Sequence, residues 1–221
     1  MPAQDDANAH GGQLLSTVKR ALGRQYRRAQ RATEHFIFER GLQSTWTEDV
    51  SSGYLYLARG LWRSKVSRQD VLLDYGSGRG RMLLAAARYP FGRVIGLELN
   101  EADAEFARAN AKLAAERLRC RRIDVVVGDA TVWPVPDEVT YIYMFNPFWG
   151  ETFEAMLDRV IESLERRPRP LTIVYANPTC ATQLLARGRF ERVRTSRGPR
   201  RKLAAQRVDT FRTVQRQPPG I

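Results

Sequence analysis

From Asp70 onward, short apolar runs alternate with stretches of helical periodicity, and this alternation constrains the fold more than any other feature of the chain. The runs fall at residues 71–75, 94–97, 123–127, 139–145 and 171–175, with helical segments at 81–89, 101–118, 151–166 and 180–186. Strand and helix in alternation predict a parallel α/β sheet, because two parallel strands need a crossover long enough to hold a helix. Each run is apolar nearly throughout, as expected when helices cover both faces of the sheet. Beyond Gly188, β-rich stretches at 190–195 and 208–214 flank the segment S-R-G-P-R-R-K-L-A-A. An antiparallel hairpin closing the sheet is the economical reading.

The 69 residues or so ahead of this pattern read differently. Residues 1–12 are small, polar and Gly-ended and are expected to be a disordered leader. Over 13–68 a helical cap is expected: Leu14, Leu15, Val18, Leu22, Tyr26, Ala29 and Phe36 recur at helical spacing within 14–42. A further helix over 48–65 carries Val50, Tyr54, Leu57 and Leu61 on one side. The α/β domain then spans 69–216, with no internal repeat, and the tail Q-P-P-G-I is expected to fray. The N-terminus has no apolar core of a secretory signal, no run approaches a membrane span, and a cytoplasmic address is the expectation.

Charge is unevenly placed. The net +12 divides into +4 over residues 1–70, −1 over 71–185 and +9 over 186–221. A basic end of this kind is either a solvated edge or a surface for nucleic acid or another polyanion, and the sequence leaves both open. Two cysteines, Cys120 and Cys180, read as small apolar fillers, and two histidines are too few for a His-rich metal site. No metal is expected.

The chemistry gathers at the carboxyl ends of the strands. The first strand runs through V-L-L-D-Y-G-S-G-R-G into a helix, so Gly76, Gly78 and Gly80 let a ligand approach the backbone closely. Asp74, two residues before the first glycine, would repel a pyrophosphate and welcome a cation. Glu98, ending the second strand 20 residues after Gly78, stands where a carboxylate reaches a ribose diol. The third strand delivers Asp129 and the Ala130 backbone to the same edge, where an adenine amine could be read, and the fourth delivers Asn146, Pro147 and Phe148.

With these four strand ends the chain resembles the class I S-adenosylmethionine-dependent methyltransferases over about residues 69–214. The D-Y-G-S-G-R-G run matches their donor-binding glycine motif, Glu98 their ribose-binding acid and G-D-A their adenine contact. Within them, the chain is similar to a bacterial methyltransferase-domain group with D-x-G-S-G-x-G-R and N-P-F motifs; the glycine loop also resembles that of the nucleosome-core histone-lysine methyltransferases. The resemblance implies a Rossmann-like seven-stranded sheet, parallel with an antiparallel C-terminal hairpin, helices on both faces and an N-terminal helical cap. It implies S-adenosylmethionine as cofactor, held by Asp74, Gly76, Ser77, Gly78, Gly80, Glu98, Leu99, Asp129, Ala130 and Asn146. Methyl transfer is an in-line displacement from an activated sulfonium, so alignment and desolvation of the acceptor dominate and the scarcity of histidine is no obstacle.

Asn146-Pro147-Phe148-Trp149 is similar to the [DN]-P-P-[FY] motif of amino-methyltransferases, with one proline where that motif has two. The implied catalytic residues are Asn146 and Phe148, with Tyr54, Pro147 and Trp149 meeting the acceptor, most plausibly a nitrogen on a small molecule or protein side chain. Read structurally instead, Asn146 ends a strand, Pro147 turns it and the aromatics are core. Trp46, Tyr54 and Tyr56 are candidates for a substrate lid or for core, and Arg79 and Arg81 for solvating a helix start. The competing reading is an Arg-rich nucleic-acid-binding or nucleic-acid-modifying protein on the same fold, or a non-catalytic one. The glycine spacing and Asp74 count against a nicotinamide oxidoreductase.

Overall fold

The computed structural model of the chain describes residues 53–197 and 207–214. The expected leader, the helical segment 14–42, Trp46, the first residues of the 48–65 helix, most of the Arg-rich segment and the tail lie outside the described residues, as does the side chain of Tyr54.

Seven strands form one sheet: β1 (Val71–Tyr75), β2 (Arg93–Glu98), β3 (Ile123–Val127), β4 (Tyr141–Phe145), β5 (Thr172–Ala176), β6 (Phe190–Arg197) and β7 (Arg207–Thr213). Their hydrogen-bonded order is β3-β2-β1-β4-β5-β7-β6. β3, β2, β1, β4 and β5 are mutually parallel, β7 is antiparallel to β5, and β6 is antiparallel to β7. The parallel α/β sheet expected from the alternation is present with helices on both faces, and it has the seven-stranded Rossmann-like form that the resemblance implies. Because the chain leaves β1 first towards β2 and later returns to β4 on its other side, the carboxyl ends of β1 and β4 diverge into a crevice at the switch point.

Five described helices accompany the strands: α1 (Gly53–Gly60), α2 (Arg81–Ala86), α3 (Glu101–Ala114), α4 (Gly150–Arg166) and α5 (Ala181–Ala186). One sheet face presents Leu73, Ile95, Ile142, Ile173 and Phe211 to Phe153, Met156, Leu157 and Val160 of α4. The opposite face takes α1 and α2, and the fit is close: a Cβ on Gly60 would lie 2.0 Å from Val174 Cγ1, and one on Gly96 2.7 Å from Leu83 Cδ1. At the start of α3, Asn100 Oδ1 accepts from the Asp103 N–H at 3.1 Å, and Glu101 and Asp103 place negative charge on the first turn.

Several boundaries differ from expectation for local reasons. The helix expected over 81–89 stops at Ala86, ahead of Pro90, and that expected over 101–118 passes at Ala114 into a short 3-10 turn, Ala115–Arg117. β4 begins at Tyr141 because Val139 belongs to a turn closed onto Pro136, and the Thr140 hydroxyl bonds Asp70. β3 is half-buried along its whole length, being an edge strand, so it departs from the fully covered character expected of it.

Within the expected hairpin, the later strand takes the interior position. V-D-T-F of β7 is buried between β5 and β6, whereas F-E-R-V-R-T-S-R of β6, buried only at Phe190, forms the outer edge. Charged side chains on an exposed edge discourage pairing with a second chain, so each strand sits where its composition suits it.

Candidate functional site

The chain leaves β1 through three glycines with left-handed backbone, Gly76 (φ +69°), Gly78 (φ +50°) and Gly80 (φ +81°). A Cβ on Gly80 would meet Ala107 of α3 at 2.9 Å, so this glycine serves packing; a Cβ on Gly78 would meet nothing within 4 Å, so this one leaves the loop open above. Four of the loop's N–H groups are already engaged. Gly76 and Ser77 donate to the Leu97 carbonyl at 2.9 and 3.1 Å, Gly78 to Glu98 Oε2 at 2.7 Å and Gly80 to the Ser77 carbonyl at 3.0 Å. A phosphate cradle needs those donors free, and this loop spends them on the protein itself.

Three carboxylates stand at the ends of β1, β2 and the loop after β3, in contrasting surroundings. Glu98 is held by backbone, its Oε1 accepting from Leu99 and Asn100 at 2.9 and 3.0 Å, with Leu99 72% exposed beside it. The Asp129 Oδ1 accepts from the Thr131 N–H and hydroxyl, both at 2.8 Å, which holds its carboxyl below the usual range. Next to it Ala130 is buried. Asp74 is 2% exposed and its Oδ2 has no hydrogen-bond partner. Burial, and secondarily the Glu98 charge, push its carboxyl well above the usual range. A buried acid without a partner costs on the order of 1–3 kcal/mol, which a cationic ligand would offset.

The acceptor-side candidates converge on the same crevice. Pro147 overlies the glycine loop, its Cβ 3.3 Å from where a Cβ on Gly76 would stand. Phe148 packs edge-on against Tyr75, ring centroids 6.0 Å apart, so it is partly core, and Trp149 is 73% exposed at the start of α4. Asn146 adopts φ +43°, and its Oδ1 accepts from the Tyr175 hydroxyl at 3.2 Å and from the Thr179 hydroxyl. The Tyr175 oxygen in turn accepts from the Cys180 N–H at 3.3 Å, and burial raises the phenol's pKa, so it stays a donor. Two hydroxyls thereby hold the amide oxygen. Arg79 pairs with Asp103 at 2.9 Å and lies over the Phe106 ring.

Four residues at this edge escaped sequence reasoning: Tyr143, Phe145, Tyr175 and Asn177. Phe145 is exposed and lies tilted against Tyr56, itself buried, with ring centroids 5.3 Å apart. Asn177 repeats the left-handed Asn-Pro turn of Asn146, at φ +50°, on the neighbouring strand. The signal was present, since N-P follows both the fourth and fifth apolar runs.

Of the seven arginines of the basic end that lie among the described residues, five are engaged by the fold. Arg187 pairs with Glu154 and Asp158, Arg189 with Glu165, Arg192 and Arg207 with the buried Asp209, and Arg194 donates to the carbonyls of Gly60 and Trp62. Among the described residues, no group of three or more His, Cys, Asp or Glu could hold a metal ion, and no helix is long and apolar enough to cross a membrane.

Residues 72–167 match the family model described as "Methyltransferase domain". No curated protein sequence matches the chain. Among solved structures, it is similar to an RNA methyltransferase from Salinibacter ruber in complex with S-adenosylhomocysteine: 23% identity, TM-score 0.51, covering 73% of this chain and 92% of that one. It is also similar to the glycopeptide N-methyltransferase MtfA with S-adenosylmethionine: 12% identity, TM-score 0.60, covering 74% and 94%. A third is magnesium protoporphyrin IX methyltransferase from Synechocystis PCC 6803 with bound S-adenosylmethionine: 14% identity, TM-score 0.54, covering 81% and 91%. At these identities the likeness establishes the fold. The domain match and these neighbours together support an S-adenosylmethionine-dependent methyltransferase, and the acceptors of the three neighbours differ from one another in kind.

The residues present suit that donor. Asp74 would offer an unpartnered buried carboxyl to a cation, Glu98 a carboxylate to ribose hydroxyls and Asp129 its Oδ2 to an adenine amine.

Proposed function

We propose that the protein transfers a methyl group from S-adenosylmethionine to a nitrogen presented over Asn146, Pro147, Phe148 and Trp149, on a small molecule or a protein side chain. The donor supplies an activated methyl; the chain supplies position. Asp74, Gly76, Ser77, Gly78, Gly80, Glu98, Leu99, Asp129 and Ala130 hold it along the ends of β1 to β3. The observation that carries the reading is the pinned amide of Asn146, held by Tyr175 and Thr179 next to a proline that touches the glycine loop. Its NH₂ can hold an oxygen or ring nitrogen adjacent to the methylated atom, which orients the acceptor lone pair without adding charge. Exposed Trp149 and the edge of Phe148 supply a surface for a planar group. A cytoplasmic address belongs to the same proposal, as does contact with the acceptor by Tyr54.

The competing reading, an Arg-rich surface for nucleic acid, is weakened by the internal pairing of Arg187, Arg189, Arg192, Arg194 and Arg207. Incubating lysate fractions with tritiated S-adenosylmethionine and the protein tests both. Label in small-molecule or protein fractions that Asn146→Ala abolishes supports the proposal; label confined to nucleic acid sinks it in favour of the alternative.

A further inference from the structure

The near-neutral middle of the chain hides a separation of charge across the sheet. The carboxyl edge gathers Asp74, Glu98 and Asp129, whereas the segment that enters β3 at the amino edge is basic. Residues 112–122, which lead from the end of α3 into β3, hold five basic side chains and one acid. Lys112, Arg117, Arg119, Arg121 and Arg122 are all exposed. Lys112 and Arg117 stand in the last turn of α3 and of the 3-10 turn, where the helix dipole accounts for a cation; Arg119 and Arg121 lie beyond both. At the basic end the fold recruits its arginines into ion pairs, and here it does not. Among the described residues, no hydrogen bond, ion pair or ring contact engages the side chain of Arg119 or Arg121. Asp124, 3.6 Å from Arg122 Nε, is already bonded by Arg93. The backbone beneath them is nonetheless fixed. Arg119 and Cys120 both donate their N–H to the Ala87 carbonyl, at 3.0 and 2.9 Å, the Arg122 carbonyl accepts from the Val94 N–H at 2.9 Å, and Cys120 is buried.

We propose that this loop, with exposed Arg88 beside its Ala87 anchor, is a docking surface for the phosphate backbone of a single nucleic-acid strand, bound as a partner and not as the methyl acceptor. Arg119 and Arg121 flank a buried residue on a fixed backbone, so their Cα atoms are at most about 7 Å apart. Successive phosphates along one strand repeat at a comparable spacing, and a guanidinium fork takes a phosphate through two parallel hydrogen bonds. A membrane surface fits less well, because Leu113 is the one large exposed apolar side chain of residues 112–122, which leaves little area to bury among acyl chains. β3 runs parallel to β1 and β2, which puts this loop about 17 Å, the length of a five-residue strand, from the edge that carries the donor site. The inference therefore does not depend on the donor or on the acceptor.

Fluorescence anisotropy of the full chain with a labelled oligothymidylate tests it. Wild-type affinity should fall as salt rises, with a log–log slope of about −0.7 for each phosphate neutralised. Arg119→Glu combined with Arg121→Glu should weaken binding about tenfold or more at low salt and flatten the slope by about 1.4, the share of two contacts, with the thermal melt unchanged. The milder pair Arg119→Gln and Arg121→Gln should move both readouts the same way by less, which keeps the test open if charge reversal disturbs the loop. Absence of wild-type binding at low salt overturns the proposal, as do an affinity and slope that the folded variants leave unchanged. Polyglutamate or phosphatidylserine vesicles that bind as tightly as the oligonucleotide, and lose as much in the same variants, also overturn it, since the partner is then an acidic protein or a membrane.

Discussion

The two sides of the sheet treat buried polar groups in opposite ways. On the β7-β6 side the fully buried Asp209 is saturated: Arg192 reaches it at 2.9 Å, Arg207 Nε at 2.7 Å and the Thr195 hydroxyl at 2.9 Å. Nearby, Arg194 and Arg59 tie α1 to β6 through the Gly60, Trp62 and Ser196 carbonyls. At the carboxyl ends of β1 and β4, Asp74, Ser77 and Tyr143 have equally buried atoms with no partner. Satisfied buried charge holds a fold together, whereas unsatisfied buried charge is tolerated where a ligand completes it. The contrast marks one region as architecture and the other as site.

The sharpest way to break this comparison is to exchange the outcomes. Asp209→Ala should destabilise the protein by about 2–4 kcal/mol in chemical denaturation, somewhat less than for a wholly buried pair because both guanidinium groups can relax towards solvent. If stability is unchanged, the hairpin's ion cluster is not architectural. Asn146→Ala should cost less, about 1–2 kcal/mol for the left-handed position and the Tyr175 hydroxyl left without its acceptor, and should lower turnover by about 10²-fold, the scale of a misplaced reacting group, with donor affinity preserved. Full turnover in that variant, measured on the labelled acceptor, reduces Asn146-Pro147 to a strand-ending turn. Glu98→Ala should weaken donor binding by about 1–3 kcal/mol in calorimetry, and an unchanged affinity removes Glu98 from the site.

The smallest expected effect has the opposite sign. Burial raises the Asp74 carboxyl in the folded chain, so the donor-free protein is favoured while that group is protonated in both states, below the ordinary carboxylate pKa. As pH rises from there towards the elevated folded value, this contribution is lost. Asp74→Asn should therefore raise stability near neutral pH by on the order of 1 kcal/mol while weakening the donor, and the gain should vanish in acid. Thermal melts across pH 4 to 8 would check it; a gain that persists unchanged at low pH contradicts the buried-charge explanation.

Much of this was legible beforehand because it is local. The ranges 71–75 and 123–127 coincide with β1 and β3, and the hairpin strands appear close to where 190–195 and 208–214 placed them. Asp74, Glu98, Asp129 and Asn146 all stand at strand ends on one edge, since a parallel sheet delivers every strand's carboxyl end to the same side. Tyr143, Tyr175 and Thr179 were not legible. Their importance lies in what faces them across neighbouring strands, and hydrophobic period treats a tyrosine in Y-I-Y-M-F or T-I-V-Y-A as core.

Sequence alone determined the alternation of strands and helices, the open glycine turn and the order in which acids reach the sheet edge, because each depends on residues near one another in the chain. Tertiary structure decided which polar atoms are satisfied. Asn146 gives its oxygen to residues 29 and 33 positions away, Arg192, Arg194 and Arg207 turn onto Asp209 and α1, and β7 rather than β6 enters the sheet interior. Those are long-range hydrogen bonds and ion pairs, formed only once the strands have assembled, and residue type and spacing carry no record of which partner wins.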